Sequence, residues 1–418
     1  MAGIHRRRPG ADSIAPADGS PAVAVGDGIW VSPGLSNSYM LATDEGRVVL
    51  NSGMGFEGPL HRRVYDEVDD GPIRALVFTQ GHYDHVGGAD HLRSGDDAPL
   101  PTELIAQEDF ATWRADNERL EAFRSRNAAF AWIDAIVAAM EHARSQGAGE
   151  MAQARPEPTT TFVERMELDI GGRRMELIST PGGETFDSLV VWLPDERTLF
   201  TGNLTGPLFG HVPNLVTIRG DRYRDALTYI DSLEVILDLA PERILTGHFD
   251  PIEGTDLIAE EVTAMQEAMH WVHDRTVDGM NAGVDVHTLM REVSVPGHLD
   301  VGEGYGRTSW NVRAIWENYA GWFHHRSTTE LYGVAASEVA PDIVAAAGAE
   351  PLLEAARRRL DAGEAVAALH LTDVILEAEP DHGAARQLAA EATRTLLGES
   401  NNFWESAWLR RSIDKLGG

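Results

Sequence analysis

Cysteine is absent from the 418 residues. Disulfides and thiolate chemistry are therefore excluded, and any metal has to be held by His, Asp, Glu, Asn or Gln. Lysine is almost missing as well: Lys415 stands alone, so neither a Schiff base nor a phosphate-binding P-loop is available through most of the chain. Positive charge is outweighed, with a net charge of −31, which argues against nucleic acid or anionic lipid as partners and for plain solubility. No apolar run approaches the roughly 20 residues of a membrane-spanning helix. The basic run His5-Arg6-Arg7-Arg8 is followed by a Pro-, Gly-, Ala- and Asp-rich stretch from Pro9 to Pro21 instead of the apolar core of a signal peptide. These features predict a disordered tail over residues 1–22 and a cytoplasmic protein.

The first half alternates short apolar runs with turn signals. Strands are expected at Arg47–Asn51, Ala75–Thr79, Met175–Ser179, Leu189–Leu193, Thr198–Thr201 and Arg243–Thr246. Helical stretches are expected from Glu108 to Gly147 and from Arg222 to Leu239. Strands come both in adjacent pairs and separated by helices, which fits two helix-covered sheets better than one parallel sheet. From about Ala340 the chain becomes Ala- and Leu-rich with helical periodicity, broken near Gly363 and at Pro380-Asp381-His382-Gly383. That pattern predicts a few antiparallel hairpins packed like tetratricopeptide repeats. Such a module buries its apolar face either on a second subunit or on its own catalytic domain.

The chemistry concentrates in Gln80-Gly81-His82-Tyr83-Asp84-His85-Val86-Gly87-Gly88, between an expected strand and an expected helix. Two imidazoles and a carboxylate within four residues suit a divalent cation, and the paired glycines let the backbone turn tightly behind them.

This run resembles the His-x-His-x-Asp-His signature of the metallo-β-lactamase superfamily, with Gln80 in the place of the first His. The resemblance implies an α/β fold, the αββα sandwich, over residues 23–328. Further segments are similar to the alkylsulfatase branch: Thr180-Pro181-Gly182-Gly183-Glu184, Leu199-Phe200-Thr201-Gly202-Asn203, Thr246-Gly247-His248, Asn214-Leu215-Val216-Thr217-Ile218-Arg219-Gly220 and Ser309-Trp310-Asn311-Val312-Arg313. The resemblance runs from about Gly26 to Ser412. It implies that residues 329–418 form the family's helical dimerisation domain, and hence a homodimer. As metal ligands it implies His82, Asp84, His85, Glu184 and His248, with Gln80 and Asn203 at two changed positions. As sulfate contacts it implies Asn214 and Arg219. A guanidinium suits a tetrahedral oxyanion because it donates two parallel hydrogen bonds. Tyr223 and Phe209 flank that segment and are further candidates for the substrate.

The two changes differ in weight. Gln80 exchanges a neutral imidazole for a neutral amide, whereas Asn203 removes an anionic bridge between two cations that repel each other. One firm site made by Asp84, His85 and His248 is expected, with a second, at His82, Glu184 and Gln80, weak or absent. Zn²⁺ suits these donors, with Fe or Mn as alternatives. The implied reaction is hydrolysis of an alkyl or similar hydrophobic sulfate ester by a metal-bound water, with Asp84 as ligand and orienter of that water and Arg219 holding the oxyanion. Some members of the family break the carbon–oxygen bond and others the sulfur–oxygen bond. Two alternatives remain open: a hydrolase diverged to a lactone, ester or thioester, and a degenerate, non-catalytic dimeric binding protein.

Other residues carry weaker signals. His211 is either a replacement ligand or a surface residue. Trp113, Trp132, Trp271, Trp310, Trp316 and Trp322 are expected to be mostly core. Arg124-Ser125-Arg126-Asn127 is either an Arg-rich wall of the site or a solvated helix face. Asp250 is either a support for His248 or a turn residue.

Overall fold

The computed structural model describes residues 3–94, 101–147, 152–216 and 218–417. It divides into two units, Met1–Tyr319 and Ala320–Gly418, the break falling ahead of the one expected at 328/329.

Among the described residues the first unit contains two sheets. The first takes β1 (Val23–Gly26), β2 (Ile29–Ser32), β3 (Ser38–Thr43), β4 (Gly46–Leu50), β5 (Ile73–Val77), β6 (Glu103–Gln107) and β7 (Thr160–Phe162) in that spatial order. It is antiparallel up to β4 and parallel beyond it. The second takes β8 (Arg165–Ile170), β9 (Arg173–Ser179), β10 (Leu189–Leu193), β11 (Thr198–Gly202), β12 (Arg243–Thr246) and β13 (Ile252–Glu253), again in chain order. Only its β11–β12 pair is parallel among the described strands.

Alternation along the strands explains the layers. Leu50, Val77, Val191 and Leu245 meet in one buried cluster between the sheets. Their neighbours Val49 and Leu76 point outward, against Val64 and Tyr65 of helix α1 (Gly58–Asp66), Val86 of α2 (Tyr83–Val86), Leu92 of α3 (Ala89–Leu92) and Phe110 of α4 (Phe110–Arg119). A long helix, α5 (Glu121–Ser145), follows α4, so the single stretch expected over 108–147 is two helices. On the far side, Val190, Leu199 and Ile244 face Leu233 of α6 (Ala226–Leu239), Met265 of α7 (Thr255–Asn281), Leu289 of α8 (Val286–Glu292) and Val312 of α9 (Thr308–Ala320). The order helix, sheet, sheet, helix is the αββα sandwich expected from the sequence. Helix α6 starts where the Asp225 side chain accepts the Thr228 N–H.

The described residues 3–22 are not the disordered tail that their composition predicts. Ile4 is buried in the α6–α7 cluster, and its N–H donates to Glu261 at 2.7 Å. The Gly3 N–H donates to Asp300 and the Ala17 N–H to Glu57. Carboxylates distant in sequence thus supply the acceptors that a Pro- and Gly-rich backbone lacks locally.

The second unit is helical: α10 (Ala340–Ala347), α11 (Ala349–Asp361), α12 (Ala365–Ala378), α13 (Gly383–Glu399) and α14 (Phe403–Leu416). Ala356, Ala365, Ala368 and Ala392 are small enough to let these helices approach closely around Leu388. The breaks fall where expected, at Gly363 and ahead of Gly383, with His382 Nδ1 accepting the Ala385 N–H.

Candidate active site

The ends of β5, β9, β11 and β12 lie on one edge of the sandwich. The loops that follow them carry Gln80, His82, Asp84 and His85; Glu184; Asn203; and His248. Gly202 has φ 50°, and a Cβ there would sit 2.6 Å from Thr79 Oγ1. Glycine is therefore what lets β11 bring Asn203 against the β5 loop.

The hydrogen bonds around His85 fix its tautomer. Its Nδ1 lies 3.3 Å from both Ser36 Oγ and Thr79 Oγ1. The Ser36 hydroxyl donates to the Gly247 carbonyl and that of Thr79 to Asn51 Oδ1. Their protons are committed, so Nδ1–H donates and the Nε2 lone pair faces the site. Burial holds His85 neutral, its pKa lowered to about 3. Its Nε2 faces Asp84 Oδ2 at 3.4 Å and the amide nitrogen of Asn203 at 3.2 Å. Two donors bonded to one tetrahedral cation at about 2.0–2.1 Å are separated by roughly 3.4 Å. His248 is buried, and burial lowers its pKa to about 4, with the charges of Asp84 and Glu184 pulling the other way. Asn203 Oδ1 is buried without a hydrogen-bond partner.

The His82 half is differently occupied. Gln80 Nε2 lies 3.0 Å from His82 Nδ1 and an Arg219 nitrogen 3.3 Å from Nε2. A neutral imidazole has one lone pair, so both donations cannot be satisfied together. Turning the Gln80 amide over resolves the conflict and gives its Oε1, buried and unpartnered, the Nδ1–H to accept. Glu184 Oε2 is 3.5 Å from Nδ1 and Asp221 Oδ2 3.7 Å from Nε2. Asp221 also pairs with Arg124 at 3.1 Å, and Glu184 with Arg224 at 3.3 Å. Burial disfavours charge on both carboxylates, but His82, Arg219 and Arg224 outweigh it and hold them ionised below the usual range. Burial likewise opposes the charge of Arg219, while Tyr305, Glu184, Asp221 and Asp84 strengthen it.

Among the described residues no group of three or more His, Asp and Glu side chains stands ready to hold a metal ion without movement. The two halves nevertheless differ. Asp84 and His85 present two lone pairs to each other at ligand spacing, with the proton of His85 turned away; that half suits a cation. In both halves a ring lone pair meets an N–H, that of Asn203 at His85 and that of Arg219 at His82; the His82 donor is itself a cation, which repels a metal ion, and that half does not suit one as it stands.

These groups floor a cavity of about 360 Å³. Its polar lining includes His82, Asp84, Glu184, Asn203, Arg219 and His248, and its apolar lining includes Ile14, Leu35, Met54, Trp132, Ile133 and Ile136. Arg124 lines it too, so the Arg-rich stretch contributes one wall residue. Trp132 lines the cavity, and Trp113 packs edge-on to the His82 ring at 4.7 Å.

Several expected site residues are elsewhere. The Tyr223 hydroxyl donates to Glu317, and its ring is not part of the cavity lining. Asn214 is buried, both polar atoms of its amide lack a partner, and its side chain does not line the cavity. Thr217 of the same segment lies outside the described residues. Phe209 belongs to the α6–α7 core. His211 is half-buried and is not part of the cavity lining: its Nδ1 accepts the Gly304 N–H and its ring meets His5 edge-on. Asp250 takes Arg8 on its main-chain carbonyl. Residues not anticipated are Asp221, Ser36, Tyr305, Glu57 and Ile14; of these only Asp221, beside Arg219 and Gly220, had a local signal.

A family model described as metallo-beta-lactamase superfamily matches residues 31–248, more than half of the chain, and one described as alkyl sulfatase dimerisation matches residues 287–413. The chain is 26% identical over 401 residues to a linear primary-alkylsulfatase of Pseudomonas sp., covering 90% of this chain and 74% of that protein. It is 24% identical over 355 residues to an alkyl/aryl-sulfatase of Saccharomyces cerevisiae (81% and 54%). It is 25% identical over 364 residues to an (R)-specific secondary-alkylsulfatase of Pseudomonas sp. (82% and 54%). It thus spans about half the length of the last two. The solved structure of the stereoselective inverting sec-alkylsulfatase Pisa1 from Pseudomonas sp. shares the fold, with a TM-score of 0.81 at 22% identity over 95% of this chain and 66% of that one.

Proposed function

The chain belongs to the metallo-beta-lactamase superfamily, and from that premise we propose that it is a metal-dependent sulfuric-ester hydrolase acting on an alkyl or similar hydrophobic sulfate. The observation that carries the reading is the cavity: an apolar wall leads to a floor holding both Arg219 and the Asp84–His85 pair. An amphiphile with an anionic head and a hydrocarbon tail has the polarity that such a lining complements. The names of the relatives support the same substrate class.

The superfamily implies a divalent cation. Asp84, His85 and His248 would hold it, with Zn²⁺ the best fit to their donors. When bound, it supplies Lewis acidity and a lowered pKa for water at the floor. Closing that set requires the Asn203 amide, now 3.2 Å from His85 Nε2, to turn. Arg219 offers the sulfate oxygens two parallel N–H donors, and its charge is fixed by Glu184 and Asp221 beside it. Asp84, whose side chain is 29% exposed, orients the attacking water. Asp221 and Arg124 hold Arg219 and His82 in register from behind. The dimerisation match supports a homodimer formed through the helical region. Among the described residues no helix is long and apolar enough to cross a membrane.

The test is release of inorganic sulfate from a medium-chain alkyl sulfate by the purified chain, lost on chelation and restored by divalent metal. Bound metal without sulfate release would move the assignment to a lactone, ester or thioester. Neither metal nor turnover would leave a non-catalytic binding protein. Sedimentation as a monomer would remove the homodimer.

A further inference from the structure

We propose that the N-terminal segment supplies one wall contact of the substrate cavity, Ile14, and that this contact sets the chain length of the substrate's apolar tail. The proposal rests on the hydrolase reading for the tail but on independent observations for the wall. The segment is pinned on both sides of Ile14. Upstream, Arg8 donates to the Asp250 carbonyl at 2.8 Å, beside the His248 loop, and Ala11 is buried. Downstream, the Ala17 N–H donates to Glu57 Oε1 at 2.8 Å. Glu57 is fully buried and also accepts the Leu35 N–H on Oε1 and the Met54 N–H on Oε2, at 2.8 and 2.7 Å. One carboxylate therefore gathers three separate backbone segments.

Those three segments carry Ile14, Leu35 and Met54, and all three residues line the cavity. They pack as one apolar cluster with Phe56 and with Ile136, Ala139 and Met140 of α5. The polar floor forms a separate network around His82, Asp221 and Arg219. A head held at the floor leaves its tail to run against this cluster, and Ile14 is the member contributed by the N-terminal segment that precedes both sheets. Added or removed volume at Ile14 alters the room for the tail without touching any group at the floor.

The experiment compares the full chain with its Ile14→Ala and Ile14→Trp variants on linear alkyl sulfates from butyl to dodecyl. In parallel, the matching alkyl sulfonates, which have no ester to cleave, are titrated calorimetrically. Ile14→Trp should raise KM for dodecyl sulfate and Kd for dodecyl sulfonate by roughly tenfold or more relative to the butyl compounds. Ile14→Ala should flatten the dependence on chain length. Wild-type chain-length profiles in both variants overturn the proposal. If Ile14→Trp does not fold, as read from its thermal midpoint, the Ile14→Ala profile alone decides. If none of the proteins cleaves any sulfate, the hydrolase reading fails, and the sulfonate titrations still judge Ile14.

Discussion

The Nε2 of His85 and the Oδ2 of Asp84 face each other at 3.4 Å with no proton between them. The imidazole carries its proton on Nδ1, toward Ser36 and Thr79, and burial keeps the ring neutral at physiological pH. Two lone pairs turned toward each other inside a protein repel, unless something positive lies between them. In this structure the amide N–H of Asn203 meets one of them.

That arrangement makes a prediction for Asn203→Asp. A carboxylate at this position cannot donate to His85 and places a second negative charge beside Asp84. The chelated variant should be less stable than wild type, while its affinity for Zn²⁺ should rise roughly tenfold or more, the equivalent of about 1.4 kcal/mol. Chelator competition measures the affinity and urea unfolding the stability. An affinity equal to wild type would mean that Asn203 does not face the cation.

Arg219→Ala should raise KM for an alkyl sulfate far more than for a neutral carboxylic ester with the same tail, because only the sulfate loses a charged hydrogen-bonding partner. Steady-state kinetics on the matched pair checks this. Equal effects on both substrates would remove Arg219 from sulfate recognition.

Acid lability should follow from the buried imidazoles. His61 and His85 are lowered to about 3 and His211 and His248 to about 4, from an ordinary 6.5, in each case chiefly by burial. The unfolded chain therefore takes up protons below about pH 6.5 that the native chain refuses. Stability is full above that pH and falls as it drops toward about 4. Glu57, pushed up to about 7, and Asp187, to about 6, act in the opposite sense, because they ionise first in the unfolded chain. Two carboxyls against four imidazoles reduce the slope without reversing it. The urea midpoint of chelator-treated protein should drop between about pH 7 and pH 5; a flat midpoint contradicts the burial of these rings.

Glu57→Leu keeps the volume and removes the acceptor of three backbone N–H groups. Each orphaned donor costs roughly 1–3 kcal/mol, so a loss of at least about 3 kcal/mol is expected in denaturant unfolding. A wild-type midpoint would show that other acceptors reach those groups.

What could be read from the sequence follows how local each interaction is. His82, Asp84 and His85 fall within four residues and stand out as a local cluster, whereas Glu184, Asn203 and His248, each on a loop after a strand, carry no such signal and are named through the resemblance of their segments to the alkylsulfatase branch. The αββα layering was legible from local pattern, since Val48-Val49-Leu50 and Leu189-Val190-Val191 fill two cores from one strand. Residues 3–22 were misread because composition reports backbone entropy, whereas their order comes from Glu57, Glu261 and Asp300, remote in sequence. Tyr223 has the right neighbours in sequence, but its hydroxyl is drawn to Glu317 on α9. Nothing near Ser36 or Ile14 marks either as part of a site.

On the proposed function, a single divalent cation held around Asp84, His85 and His248 is needed for hydrolysis. The most direct measurement is metal content by mass spectrometry on exhaustively dialysed protein, paired with dodecyl sulfate turnover before and after chelation. Close to one equivalent per chain, with turnover lost and regained along with it, is the expected result. Two tightly held equivalents, or undiminished turnover by fully metal-depleted protein, would contradict it.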